Sequence, residues 1–394
     1  MKKRIALIIT FIIYLAGLAE NNIIIDNTEE LQSLFISSQA DVTINLGSGD
    51  YYLQPTYFID ETCGNCEDVN TPVPATYGLK ISGKNVKLQG PADRSAVIHT
   101  NSGFGIYVVN CQDFYLENIT LTEGIRDTSG MASDAAIVVK NSSAFIRNNL
   151  ITGNQGDSLM IARNISGIMG ICGRENSYLE IMDNEITNNS WDGIALYRDA
   201  EALITGNIID GGRGVAIGVT WNAKANINDN YLARYWKGIG LFVDAEGSVQ
   251  NNIIEDMYTW GLSLWDAGKG KPKGHFQNNI VYDTGAMGAA ITSSTEESPG
   301  YFRDNIIVQT AQNPAYDSPD YYGYQCAMAL HAVPPEFEID HNLFYDNRRA
   351  TEDLPDFDVS ETEFQQKLQE MNTWISKLKY IEKSEFEKKM RISK

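Results

Sequence analysis

Asn184-Glu185-Ile186, Asn207-Ile208, Asn230-Tyr231-Leu232 and Asn252-Ile253 follow one another at intervals of 23, 23 and 22 residues, and this stretch decides the fold. A second motif keeps step with the asparagines: Gly193-Ile194-Ala195-Leu196, Gly214-Val215-Ala216-Ile217, Gly238-Ile239-Gly240-Leu241 and Gly261-Leu262-Ser263-Leu264. A third apolar segment precedes each asparagine, as at Leu203-Ile204, Ile227 and Val249. Three short alternating segments per unit, divided by Gly, Asn and Asp, predict three strands and three turns. One such unit cannot bury its apolar face alone. Stacked units can, because each strand pairs with its copy about 4.8 Å away in the next rung. Asn suits the sharp corner, since it tolerates the left-handed backbone region. Its stacked amides can also hydrogen-bond from rung to rung.

The pattern extends both ways, back to Asn118-Ile119 and Asn149-Leu150 and on to Asn279-Ile280, Asn305-Ile306 and Asn342-Leu343. The glycine series continues as Gly288-Ala289-Ala290-Ile291 and Ala327-Met328-Ala329-Leu330. Helical solenoids are excluded, because they lack period-two alternation. A propeller needs about 40 residues per blade, and a leucine-rich array needs several Leu at fixed offsets. The repeat resembles the right-handed parallel β-helix of the pectate-lyase-like superfamily over about residues 80–347. That resemblance implies an all-β coil of about nine or ten rungs. Residues 20–79 read as a cap and lead-in, with a helix over about Thr28–Ser38 and strands at Val42–Leu46, Gly49–Leu53 and, opening the first coil, Leu79–Leu88. A helix there covers the open core and the unpaired edge. Residues 348–359 read as a linker. Ser360-Glu361-Thr362-Glu363 is a capping box, and Phe364, Leu368, Met371, Ile375 and Leu378 predict an amphipathic helix over 360–394. That helix either docks over the end of the coil or binds a partner.

The ends and the charge bound the rest. Lys2, Lys3 and Arg4 precede an apolar run to Leu18 with small residues at Gly17 and Ala19, so residues 1–19 read as a secretory leader. An uncleaved anchor is the alternative, though the run is short for a bilayer span. Loss of three cations takes the formal charge from −20 to −20 − 3 = −23. No later stretch is apolar enough to span a membrane, so a secreted, periplasmic or cell-surface protein is expected. Such a surface repels nucleic-acid phosphates, which excludes nucleic-acid binding. It also disfavours a polyanionic glycan unless a cation bridges the two. Nothing in the sequence indicates the oligomeric state. Export permits disulfides, and Cys63-Gly64-Asn65-Cys66 reads as a loop closed by a local one, with Cys111, Cys172 and Cys326 packed as small apolar residues.

Stacking turns residues of equal phase into rows. The strand beginning at the repeated Gly resembles the one that lines the substrate groove in the enzymes of the superfamily. The row just before it reads Phe104, Asp134, Asp157, Asp192, Arg213, Lys237, Trp260 and Met287. Three stacked Asp would either raise one pKa or hold a cation, with Ca2+ the natural ion. The same row would also serve as a salt-bridge ladder. The row just after the strand contains Lys140, Arg163, Arg198 and Asp266. The outward mid-strand row is small, reading Ala195, Ala216, Gly240, Ser263, Ala290 and Ala329. The next contains Tyr197, Phe242, Trp265 and His331, with Trp191, Trp221, Trp236 and Trp260 in the flanking turns. A shallow floor flanked by rings suits sugar stacking.

Two chemistries could use these residues. In β-elimination from a uronic acid, a cation neutralises the substrate carboxylate and Lys237, beside Arg213, removes the acidified proton. In hydrolysis, Asp134 and Asp192 would act as acid and base. The signatures of polygalacturonases, mannuronan epimerases and pectate lyases are absent. The expected partner is therefore a polysaccharide, bound and cleaved along the Gly-Ile-x-Leu face, or bound without catalysis by an adhesin-like surface protein.

Overall fold

The computed structural model describes residues 21–131, 133–156, 166–293, 300–317, 325–350, 357–360, 362, 363 and 366. Its strands form an all-β parallel helix of three-sided turns, and three apolar columns fill the middle. Ile137, Ile171, Ile194, Ile217, Ile239, Leu262, Ala289 and Met328 stack in the first. Ile181, Ile204, Ile227, Val249, Phe276 and Phe302 stack in the second. Ile151, Ile186, Ile209, Leu232, Ile254, Val281, Ile307 and Phe344 stack in the third. All are buried, and each large aliphatic contributes about 1.5–3 kcal/mol on burial.

The asparagines form the expected column, which is a hydrogen-bonded ladder. The side-chain amide of Asn149 donates to Asn184, and the chain of donation continues through Asn207, Asn230, Asn252, Asn279 and Asn305 to Asn342. The left-handed residue, however, is the one before each ladder position: Asn148, Asp183, Gly206, Asp229, Asn251, Asn278, Asp304 and His341 all have positive φ. Corner and ladder are therefore separate jobs on adjacent residues. Asn118 is one position out of the column. It pairs with Asn148, and the Ile119 N–H takes the ladder position below Asn149.

The coil begins before residue 80. Asn21–Ile25 pairs in parallel with Gln39–Leu46, which pairs with Val73–Gln89. The cap helix, α1 (Thr28–Leu34), is N-capped by Asn27 and shorter than expected. The Gln39 amide takes the Leu34 carbonyl at 2.7 Å, which ends the helix there. Leu31 and Phe35 close the core. At the other end, Ser360 and Glu363 form the capping box reciprocally, at 3.1 and 3.3 Å. The leader over 1–19 and the helix beyond Glu363 lie outside the described residues, apart from Gln366.

One element has no counterpart in the sequence reading. Thr56–Asp60 pairs antiparallel with Val73–Tyr77 as a hairpin whose loop carries the Cys63–Cys66 disulfide. Asp60 is ion-paired with the buried Lys140 and Arg174. The Thr62 carbonyl accepts from Arg174 at 2.8 Å, the Gly64 carbonyl from Arg198 at 3.3 Å, and the Asn65 side chain from the Trp221 indole at 3.0 Å. Glu67 pairs with Lys269. The hairpin loop thus runs up one side of the coil, tied to successive rungs. Cys111, Cys172 and Cys326 are buried.

Candidate functional site

The strand registry corrects two rungs of the sequence alignment. Val215 pairs with Lys237, so Ala216-Ile217-Gly218-Val219 matches Gly238-Ile239-Gly240-Leu241. The Gly214 motif was aligned two residues too early. Ala216 points into the core, and Gly218 takes its place on the outer floor. Val215 lines the cleft while Ala216 and Ile217 both pack in the core, so the strand departs there from strict alternation, and a reading that assumes alternation places the rung two residues early. The rung between residues 135–140 and 194–196 is Met169–Arg174, not the stretch around Asp157. Asp157 and Arg163 lie outside the described residues.

The row before the strand therefore reads Ala135, Met169, Asp192, Val215, Lys237, Trp260 and Met287. Arg213 lies two residues before it, in the preceding turn. Asp134 is one residue out of the row and is ion-paired with the buried Arg126. Asp134 and Asp192 thus do not form one column. Among the described residues no group of three His, Cys, Asp or Glu could hold a metal. The set proposed for Ca2+ is not assembled from them.

Other members of the predicted site do converge. A cleft of about 590 Å³ lies on this face, bounded by Trp191, Asp192, Tyr197, Arg213, Trp236, Lys237 and Phe242. Its floor is Gly218, flanked by Thr220, and Asn65 of the disulfide loop reaches its rim. Two glycines shape that floor. A Cβ on Gly240 would lie 2.0 Å from the Phe242 ring, so only Gly lets the ring fold over it. A Cβ on Gly218 would make ordinary contacts, 3.6 Å from Val215 and 4.0 Å from Phe242, so that position admits a side chain without a clash at its first carbon. Tyr197 is buried, its hydroxyl 4.0 Å from the Met169 sulfur.

Electrostatics follow from burial. Desolvation lowers Lys237 to about 8, and the Asp192 charge opposes that fall. Its ammonium sits 4.0 Å over the Trp260 ring and 5.9 Å from Phe242. Burial pushes the Asp192 carboxyl up to about 7, although it accepts the Val215 N–H at 2.6 Å and feels Lys237. The Arg213 guanidinium lies 5.6 Å over Trp191 and donates to the Ser190 carbonyl at 3.1 Å. Asp192 and Lys237 stand two rungs apart, roughly 9.6 Å at 4.8 Å per rung, with Val215 between them.

The remaining predicted residues lie elsewhere. Arg198 stacks on Trp221 at 4.3 Å and holds the disulfide loop. Trp260 is buried beneath Lys237 and does not line the cleft. Trp265 is exposed, edge-on to Phe242 with centroids 6.2 Å apart. His331 shares that outward row but lies three rungs beyond Phe242. The sequence reading missed Asn65 and Tyr258 as lining residues. It puts Gly218 on the outward row of Tyr197 and Phe242, and the registry moves it to the mid-strand row of Ala195 and Gly240.

Asp192 gives a test of this burial. A carboxyl whose folded pKa is raised contributes stability below its unfolded value near 3.8 and loses it as pH rises through about 7. Asp192→Asn keeps an acceptor for the Val215 N–H and removes the charge. At pH 9, where Lys237 is neutral, the variant should be more stable than the parent by roughly 1–3 kcal/mol. At pH 3.5 the two should unfold at the same urea concentration. Equal midpoints at both pH values would mean that the carboxylate is hydrated.

A family model described as a right handed beta helix region matches residues 65–230 and 169–344, together well over half of the chain. No curated protein matches the sequence. Among solved structures, an alginate lyase from Paenibacillus sp. is similar at 10% identity and a TM-score of 0.49, covering 82% of this chain and 99% of that one. The A-module of the Azotobacter vinelandii mannuronan C-5 epimerase is 13% identical, with a TM-score of 0.43 and coverage of 84% and 93%. A Yersinia enterocolitica family 28 exopolygalacturonase is 11% identical, with a TM-score of 0.43 and coverage of 84% and 79%. At such identities the likeness concerns the fold alone.

Proposed function

The chain belongs to the right-handed β-helix family, and from that premise we propose that its cleft binds a uronate unit of a polysaccharide and cleaves beside it by β-elimination. The observation that carries this reading is the grouping of Arg213, Lys237 and Asp192 around an open glycine floor walled by Trp191, Trp236 and Phe242. Rings suit the apolar faces of a sugar. Arg213 supplies a fixed cation for the substrate carboxylate, in a chain whose overall charge would repel it. Charge that develops on that carboxylate as the neighbouring proton leaves is stabilised by the same guanidinium.

Neutral Lys237 Nζ takes the proton from the carbon next to the carboxylate. The electron pair left behind forms a carbon–carbon double bond, and the adjacent carbon–oxygen glycosidic bond breaks. Protonated Asp192, across the Gly218 floor, gives its proton to the departing oxygen. Transfer of the proton from Lys237 to Asp192, through water, restores the starting state.

A second reading, binding without turnover, is favoured by the seat of Lys237 on the Trp260 face, which stabilises the ammonium. One assay separates the two. Uronate polymers incubated with the protein should gain absorbance from unsaturated ends, and Arg213→Ala should raise KM about tenfold or more. Gly218→Leu should plug the cleft and abolish binding without unfolding the coil. Binding that is blocked by Gly218→Leu, without any absorbance from the parent, would establish the second reading. Binding indifferent to Gly218→Leu would remove both.

A further inference from the structure

Trp191, Tyr197 and Asn65 line not only the Lys237 cleft but also a second cavity of about 350 Å³, bordered by the Cys63–Cys66 loop. Ser133 and Asp134 lie at its wall, 5% and 1% exposed. The Ser133 hydroxyl and one Asp134 carboxyl oxygen have no hydrogen-bond partner among the described residues. A buried polar atom left unpaired costs about 1–3 kcal/mol, so each marks a place where something else completes it.

The charge around them says what that is not. Arg126 is committed: it pairs with Asp134 and donates to the Ser166 carbonyl at 2.9 Å and the Gly130 carbonyl at 3.3 Å. The paired Asp134 oxygen also accepts the Asp127 N–H at 2.7 Å. Asp127 in turn accepts both the N–H and the hydroxyl of Thr76, at 2.8 and 2.6 Å. One arginine thus faces two aspartates, and a ligand carboxylate would meet no cation to pair with. Trp191, Met131 and Met169 supply apolar surface. The Cys63–Cys66 loop closes down tightly here, since a Cβ on Gly64 would lie 3.0 Å from the Ser133 hydroxyl.

We infer that this cavity is a second sugar subsite, taking a neutral ring whose hydroxyls reach Ser133 and Asp134 and whose face lies against Trp191. The substrate then joins a uronate to a neutral sugar, and a polymer of uronate alone is the poorer ligand. This inference rests on the uronate reading of the Lys237 cleft.

Calorimetric titration of the full chain tests it with two probes: a diuronate, and a disaccharide of a uronate linked to a neutral hexose, in both linkage orders. The mixed disaccharide in one order should bind at least about tenfold more tightly than the diuronate. Ser133→Ala should weaken the mixed disaccharide about five- to tenfold, leave diuronate binding unchanged, and melt no lower than the parent, because it removes an unpaired buried hydroxyl. Ser133→Val, which fills the space, should weaken it further. Equal affinity for both probes, or mixed-disaccharide binding that ignores both Ser133 variants, overturns the second subsite. Arg213→Ala reads the first subsite separately: if it abolishes diuronate binding while the Ser133 variants do nothing, only the neutral subsite falls. If Arg213→Ala changes neither probe, the uronate reading falls instead.

Discussion

Lys237→Met should reduce the release of unsaturated sugar ends at least about a hundredfold, and up to about 10⁴-fold, while leaving the fold intact. Methionine keeps a long apolar stem over Trp260 and Phe242, so the packing survives. What disappears is the amine that takes the proton. Because Lys237 is held down at about 8 by burial, its charged form is the strained one. A lysine with a depressed folded pKa loses stability as pH falls through that value. The variant should therefore be no less stable than the parent at pH 6, and somewhat more stable in urea. The pH profile of the parent supplies the second arm. Turnover needs Lys237 neutral and Asp192 protonated, so it should follow a bell with limbs near about 7 and about 8. Those limbs belong to the pair and not to either residue. Asp192→Asn should remove the falling limb. Full activity in Lys237→Met would end the assignment of the base, and a flat profile would end that of the pair.

Asn230→Ala should destabilise the coil by about 3–5 kcal/mol. The Asn230 amide donates to Asn252, to the Ile204 carbonyl and to the Asn228 carbonyl, each at 3.0 Å. Its oxygen accepts from the backbone and the side chain of Asn207, also at 3.0 Å. Alanine leaves these groups buried and unpaired, with a small cavity between rungs. Asn230→Asp tests the same point without a cavity. Its carboxylate would face the Asn252 carbonyl oxygen instead of donating to it, so it should be at least as damaging at neutral pH. Asn251→Gly is the control. That residue has φ +56 and turns the corner, so glycine there should change stability by no more than about 1 kcal/mol. Urea midpoints decide the matter, and a mild Asn230→Ala would show that the ladder is dispensable.

Much of this molecule was legible in the text of its chain, and the failures have identifiable causes. The Asn184, Asn207, Asn230 and Asn252 column followed from spacing, because a ladder residue must recur once per rung. The misplacement of the Gly214 rung and of the Met169–Arg174 rung came from treating every Gly-plus-apolar tetrad as equivalent. Ala216 and Ile217 both face the core, so strict alternation fails at that rung and strand pairing reveals the offset. That offset removed Arg213 from the row of Lys237, and the Met169–Arg174 rung separates Asp134 from Asp192. Trp191, Tyr197, Trp236 and Phe242 still meet at one cleft, since each was displaced little or not at all.

The repeat period by itself determined the parallel coil, its three apolar columns and its amide ladder, because each rung sees mainly its neighbours and local spacing becomes vertical contact. Tertiary structure alone decided where the Thr56–Tyr77 hairpin lies, that Asp60 neutralises Lys140 and Arg174, and that Asn65 and Ser133 border cavities beside Trp191. The two Asp60 pairs join residues 140 − 60 = 80 and 174 − 60 = 114 positions apart, without any periodic relation between them. Their partners are chosen by shape and charge after the coil has formed, and no spacing rule in one chain encodes that choice.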